Sequence, residues 1–212
     1  MFTKELLKKK IIIITGGGTG LGKSMAQRFG ELGANLVITS RKLEVLEETA
    51  EELRTSGANV LPLQCDIRIP DEVEEMISRA VGEFGAVDVL VNNAGYAELG
   101  FFETFTDAAV RRQFDVNLFG TMNVARAVAP HMRARRSGLI VTISSVSGLV
   151  SNAGGAIYSA SKFAVEGWME GFAQELAPLG VRSLLVEPGM LRTDFMDGAS
   201  ARFGSIDIPD YA

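Results

Sequence analysis

Cysteine and histidine are almost missing from this sequence: Cys65 and His131 are the sole examples among 212 residues. One thiol excludes an intramolecular disulfide and a multi-thiolate zinc site. One imidazole leaves no multi-histidine metal site and argues against a carboxylate–histidine pair of catalytic bases. An excess of positive charge is missing too, since the formal net charge is -5, which argues against a general nucleic-acid binder. Long hydrophobic runs are also lacking. No window approaches the roughly 18 uncharged apolar residues of a membrane span. The run after Lys8-Lys9-Lys10 stops at Thr15-Gly16, short of a secretory apolar core. A soluble, cytoplasmic protein is expected, with chemistry carried by Tyr, Lys, Ser, carboxylates or an organic cofactor and no metal.

What the chain does have is core-forming material, with 47% hydrophobic and 22% charged residues. Short aliphatic runs alternate with longer amphipathic ones. Ile11–Thr15, Leu36–Thr39, Val60–Gln64, Val87–Val91, Leu139–Ile143 and Ser183–Val186 read as strands, and most lack polar alternation, as strands covered on both faces do. Helical patterns occupy Gly22–Leu32, Leu43–Thr55, Asp71–Phe84, Ala108–Arg135 (one helix or two) and Tyr158–Ala177. In the third, Val73, Met76, Ile77, Ala80, Val81 and Phe84 recur at three- and four-residue steps. The alternation predicts one α/β domain over residues 1–212, a doubly wound, Rossmann-like parallel sheet. From Gly198 to Ala212 periodicity fades, and an irregular tail or substrate loop without a further strand is expected.

The first strand runs into Thr15-Gly16-Gly17-Gly18-Thr19-Gly20-Leu21-Gly22, with a helix following. Glycines permit positive φ and close backbone approach, and a helix start near Gly20 aims free N–H groups at an anion. The context, a strand before and a helix after, is that of a dinucleotide pyrophosphate turn. Gly17-x4-Gly22-Lys23-Ser24 also fits a nucleoside-triphosphate loop, with Asp66 as its strand-end acid. After the second strand stand Ser40-Arg41-Lys42, two cations and a hydroxyl suited to a 2′-phosphate, which favours NADP over NAD.

Ser144-Ser145 closes the fifth strand, and Tyr158 and Lys162 lie four apart at the start of the next helix, hence on one face. A free phenol titrates near 10, too high for acid–base work at neutral pH, and a neighbouring ammonium is expected to lower it.

With these residues in place the sequence resembles the short-chain dehydrogenase/reductase family. The resemblance rests on the Thr15-Gly16-x3-Gly20-x-Gly22 turn, Asp66, Asn92-Asn93-Ala94-Gly95, Asn117, Ser145, Tyr158-x3-Lys162, and Pro188-Gly189 with Thr193. It covers roughly residues 10 to 195, and its ordered motifs displace the triphosphate reading. The resemblance implies that Tyr158 is the general acid or base and that Lys162 lowers its pKa and holds the nicotinamide ribose. It implies that Ser145 hydrogen-bonds the substrate oxygen and that Asn117 helps hold a proton-relay water. Asp66 and Ile67 are implied adenine contacts; Asn93, Ala94 and Gly95 would line the cofactor, and Pro188, Gly189 and Met190 its carboxamide side. The family usually adds a seventh strand and a last helix, which this chain is expected to lack, so a homodimer is expected before a tetramer. Residues 14–55 lean towards the family's enoyl- and dienoyl-CoA reductases, and 86–196 towards its carbonyl and alcohol dehydrogenases. The complete Ser145, Tyr158 and Lys162 set favours carbonyl chemistry. An enoyl- or dienoyl-thioester reductase, an NADP-sensing regulator without turnover and a structural subunit are the rivals.

The segment from Val146 to Ile157 carries no charge, and Tyr96, Met190, Leu191, Phe195 and Met196 add apolar surface, so the expected substrate is an uncharged, hydrophobic carbonyl or alcohol. Arg192 and Asp194 are the ions nearby. His131 reads as a solvated basic helix end, Cys65 as a small buried side chain, and Phe163, Trp168, Met169 and Phe172 as core and dimer face.

Overall fold

Ile11–Thr15 is buried at every position because it is the centre of a sheet covered on both sides. The computed structural model describes residues 3, 5–189 and 200–211. Its main sheet holds β1 (Ile11–Thr15), β2 (Asn35–Ser40), β3 (Asn59–Gln64), β4 (Val89–Asn92), β6 (Gly138–Ile143) and β7 (Val181–Val186) in the order β3-β2-β1-β4-β6-β7. All pairings are parallel, with Ile13 opposite Val37 on one side and Leu90 on the other. The chain winds outwards from β1 to β3, then returns to β4 on the other side of β1. That reversal opens a crevice at the carboxyl ends of β1 and β4, where open α/β sheets bind ligands.

Successive β1 side chains enter different cores. Ile13 joins Val37, Leu90 and Ile140 against α3 (Pro70–Phe84), α5 (Thr121–Arg135) and α6 (Ala156–Leu176). Ile12 and Ile14 join Leu36 and Ile38 against α1 (Gly20–Glu31) and α2 (Leu43–Thr55). Burial on both faces removes any reason for polar alternation, which is why β1 reads as a plain apolar run. Alternation returns in β6, where Ile140 and Thr142 are buried and Leu139, Val141 and Ile143 are half-buried. In β7, Leu184 is exposed.

The expected Ala108–Arg135 helix is α4 (Asp107–Phe114) and α5, joined by a wide π turn over Asp115–Gly120. The expectation that the tail adds no strand is corrected: β8 (Ala201–Phe203) pairs in parallel with β5 (Ala97–Leu99), a strand the sequence reading missed. Tyr211 then stacks on Phe101, with ring centroids 4.4 Å apart. No described helix is long and apolar enough to cross a membrane.

Candidate active site at the β1–β4 crevice

The glycine turn is shaped by two separate demands. Gly16 (φ +65) and Gly20 (φ +51) adopt left-handed backbone, which glycine enters without a Cβ penalty. Gly22 is required by proximity, because a Cβ there would stand 2.1 Å from the Gly16 carbonyl oxygen. The turn is pinned from behind: Gly16 N donates to Thr39 O at 2.8 Å, and Thr49 Oγ1 donates to Gly18 O at 2.8 Å. Thr19 is the N-cap of α1 but makes no side-chain cap bond, and no acid occupies the first turn, which holds Gly20, Leu21 and Gly22. The helix therefore presents its first N–H groups and its positive end to an open space; a Cβ on Gly20 would meet nothing within 4 Å. That cradle fits a phosphate group. Lys23, the lysine of the alternative triphosphate loop, is ion-paired with Glu52 on α2 at 2.6 Å.

The Asn92–Gly95 turn after β4 is bolted to the glycine turn. Thr15 Oγ1 accepts from Asn93 N and from Ala94 N, each at 3.0 Å, while Asn93 Nδ2 donates to Thr15 O at 2.9 Å. Gly95 lies over Asn117, whose Oδ1 would be 3.3 Å from a Cβ at Gly95.

On the other side of the turn, Arg41 and Lys42 are exposed at the end of β2, and Ser40 Oγ accepts from Lys42 N at 3.3 Å. Asp66 is already engaged. Arg68 Nε donates to both its oxygens, at 2.9 and 3.1 Å. This hydrogen bond outweighs burial and holds the Asp66 carboxyl below the usual range. Ile67 is buried and packs where a Cβ on Gly120 would collide with it at 2.7 Å. Cys65 is buried, and burial with the nearby Glu72 and Asp66 pushes its thiol up to about 12, which leaves it protonated and inert. His131 is exposed beside α3.

Ser145, Tyr158 and Lys162 meet at the carboxyl end of β6. Ser145 hydrogen-bonds the Tyr158 phenol. Lys162 is 7% exposed; its Nζ donates to Ile143 O at 2.9 Å and lies 5.9 Å from the Tyr158 ring centroid. Burial pushes the Lys162 pKa down to about 8, with the Glu166 carboxylate pulling the other way. The expected lowering of the Tyr158 pKa is corrected here. Burial raises it, the Ser145 hydrogen bond opposes the rise, and the ammonium directed at Ile143 O does not reverse it.

Asn117 falls in the π turn, a deviation that recurs at functional sites. Its Oδ1 accepts from Tyr96 N at 3.1 Å, and its Nδ2 donates to Tyr96 O at 3.0 Å and Ser161 Oγ at 3.1 Å. Ser161 Oγ in turn donates to Tyr158 O at 2.7 Å. Both amide hydrogens are committed, so the Asn117 side chain braces the Tyr158 helix against the β4–β5 connection. The sequence reading missed the group behind this brace. Buried Gln113 donates to Tyr96 O at 2.9 Å and accepts from Glu98 N at 2.6 Å, and Glu98 is buried against Tyr96 Oη and Arg112, each at 3.1 Å. Tyr96 was expected to offer apolar surface; instead burial, against the opposing Arg112 hydrogen bond, pushes its phenol up to about 12. Pro188 follows β7 and its carbonyl accepts from Val146 N at 3.2 Å, next to Gly189. Met190, Leu191, Arg192, Thr193, Asp194, Phe195 and Met196 lie outside the described residues.

A family model described as short chain dehydrogenase matches residues 10–202. This chain belongs to the short-chain dehydrogenase/reductase family. A 3-ketodihydrosphingosine reductase of Bacteroides thetaiotaomicron is 37% identical over 206 residues, which cover 97% of this chain and 73% of that protein. Among solved structures, a short-chain dehydrogenase/reductase from Burkholderia phymatum in complex with NAD matches with a TM-score of 0.87 and 32% identity, over 94% of this chain and 71% of that one. A metagenomic short-chain oxidoreductase in complex with NADP matches with a TM-score of 0.82 and 35% identity, over 87% of this chain and 84% of that one. The six-stranded parallel sheet with helices on both faces is the Rossmann-like fold of this oxidoreductase family.

Proposed function

We propose that the chain is an NADP-dependent oxidoreductase that interconverts a hydrophobic ketone or aldehyde and its alcohol. The observation that carries the reading is the convergence of Ser145, Tyr158 and Lys162 at the strand end beside the glycine turn. The similarity to proteins solved with NAD and with NADP supports a nicotinamide cofactor, and the similarity to a ketodihydrosphingosine reductase supports a keto substrate.

The residues present fit such a cofactor. The α1 cradle suits a pyrophosphate, with Thr15, Gly16, Thr19, Gly20, Leu21 and Gly22 around it. Arg41 and Lys42, with Ser40, suit a 2′-phosphate. Asp66 and Ile67 would flank the adenine; Asn93, Ala94, Gly95, Pro188 and Gly189 would line the nicotinamide side, with Met190 and Thr193 assigned there from sequence alone. When bound, the cofactor supplies or accepts the hydride.

The protein's own part is the proton. In carbonyl reduction the Tyr158 O–H bond breaks and its proton goes to the substrate oxygen, which Ser145 Oγ holds in place. The Lys162 ammonium, 5.9 Å from the ring centroid, would offset part of the charge on the phenolate left behind without outweighing the effect of burial. Asn117 fixes the backbone on which Tyr158 stands. Exposed Val146, Leu149 and Val150 on one side, and Phe101, Phe102 and Phe203 near the β5–β8 pair on the other, would form the apolar walls. The segment 200–211 would serve as part of that wall. Trp168 and Phe172, stacked at 5.5 Å on α6 beside Met122 of α5, would form the face of a homodimer.

A panel of ketones, matched 2-keto acids and enoyl thioesters with NADPH tests the reading. Aliphatic or aryl ketones should turn over with the higher kcat/KM. Tyr158→Phe should lose at least about 10²-fold in kcat, as expected of a lost acid–base catalyst, with NADPH binding nearly intact. Preference for enoyl thioesters, binding without turnover, or a near-normal Tyr158→Phe would each overturn it.

A further inference from the structure

Lys162 is a buried ammonium whose hydrogen-bond acceptor among the described residues is one backbone carbonyl, Ile143 O. A cation taken out of water needs a counter-charge or it loses its proton. Tyr158, Lys162 and Glu166 are spaced by four along α6 and share one face of that helix. Glu166 is half-buried, but its Oε1 atom is buried and has no hydrogen-bond partner among the described residues, and the same holds for the Oγ of Ser144, next to Ser145. Both atoms converge on Gly148, where a Cβ would lie 2.8 Å from Ser144 Oγ and 3.1 Å from Glu166 Oε1. Glycine at 148 is what leaves room for the carboxylate behind the catalytic trio. A surface glutamate on a helix would be solvated, and an apolar residue would fill this space without cost. A carboxylate oxygen kept dry and unpaired here is expensive unless its charge is used.

We propose that Glu166 is a positioning residue for the catalytic lysine, a half-buried counter-charge one helical turn beyond Lys162 that keeps the ammonium charged beside the phenol. The proposal rests on the role given to Lys162 above. It explains why burial brings the lysine to about 8 and no lower: desolvation drives the value down, and Glu166 is the group that opposes it.

Among the described residues, the other charges on the elements around Lys162 are exposed or already committed. The 146–148 and 177–179 turns bring none. From β7 and the residue after it come Arg182 and Glu187, both exposed. Glu98 on β5 is held by Arg112 and Tyr96. On α4, Arg111 pairs with Asp107. Asp115 of the π turn is exposed and acts on Arg68 and Arg111. Among the described residues, the remaining titratable neighbour is the Tyr158 phenol itself.

The test is a lysine NMR titration of the full chain, with the Lys162 signal assigned by its loss in Lys162→Met. Glu166→Gln keeps the shape and removes the charge, and it should lower the Lys162 midpoint by about one pH unit. Glu166→Asp should restore most of it. The pH profile of kcat for ketone reduction should move by the same amount, with KM little changed. A purely structural glutamate would alter the melting temperature and leave both midpoints in place, which would overturn the proposal. If Glu166→Gln fails to fold, Gly148→Ala, which crowds the carboxylate, carries the same measurement: an unmoved Lys162 midpoint overturns it. If the protein reduces no carbonyl at all, the functional reading fails, while the titration still decides the role of Glu166.

Discussion

At the scale of single residues, the spacing of Ser145, Tyr158 and Lys162 was legible and their electrostatics were not. The four-residue step places phenol and ammonium on one helical face whatever surrounds them. Which way their pKa values move depends on how much water reaches them, and that is decided by β6 and by the 146–148 turn packing over α6. The outcome is a buried lysine with a pKa of about 8 beside a phenol that burial pushes upward. This has a consequence for stability. The lysine titrates at about 8 when folded and at its ordinary value of 10.5 when unfolded. Between those values the unfolded chain binds the extra proton, so stability rises with pH across that window and is lowest below it, where the buried ammonium must be kept. Going from about pH 7.5 to about pH 9.5, Lys162 should add roughly 2 kcal/mol. Lys162→Met, close in shape and uncharged, should lose this increment. Urea unfolding of both proteins at the two pH values checks it; a gap between them that stays constant would mean that the ammonium is solvated.

At the scale of elements, regular segments were readable and short or irregular ones were not. Leu43–Thr55 is a helix over the bounds that its pattern predicts, because its apolar positions face a single sheet. The β5 and β8 strands are three residues each, too short to display a period. The π turn at Asp115–Gly120 is hidden because the apolar pattern runs on from α4 into α5; one wide turn shifts the phase without breaking it. That turn is what puts Asn117 against Tyr96 and Ser161. The glycine turn shows the opposite balance, where sequence named the glycines and structure separates their reasons. Gly22 is fixed by close packing on the turn, since its Cβ would lie 2.1 Å from Gly16 O. Backbone cannot yield as a flexible side chain does. Gly22→Ala should therefore push α1 off the turn, with a stability loss in the range of about 1–3 kcal/mol for overpacking. Cofactor affinity should fall with it, because the N–H cradle moves. Urea unfolding and cofactor titration measure the two effects, and unchanged values in both would show that the turn relaxes freely.

At the scale of the whole molecule, the strand order assembles one crevice from segments far apart in the chain. The glycine turn, the end of β2, the Asn92–Gly95 turn, the π turn and the start of α6 are brought together because β1 and β4 are neighbours while β2 and β6 lie outside them. A ligand spanning that crevice would tie the α1–α2 half of the fold to the α5–α6 half, so its binding should appear in global stability. Saturation at a hundred times the dissociation constant adds about 2.7 kcal/mol to a protein that binds only when folded. For a chain of this length each kcal/mol raises the melting temperature by about 2–4 °C. NADPH at that excess should thus raise Tm by roughly 5–10 °C, and NADH at the same concentration by distinctly less. The difference should reside in Arg41, exposed at the end of β2. Loss of one charge-assisted hydrogen bond costs about 1.5–3 kcal/mol, enough to bring the NADPH shift of Arg41→Ala down to that of NADH while leaving the NADH shift where it was. Thermal melts of the two proteins with each cofactor make the comparison. Equal shifts for NADPH and NADH in the parent protein, or equal losses of both in Arg41→Ala, would remove the 2′-phosphate from the reading and leave Arg41 a packing role at the start of α2.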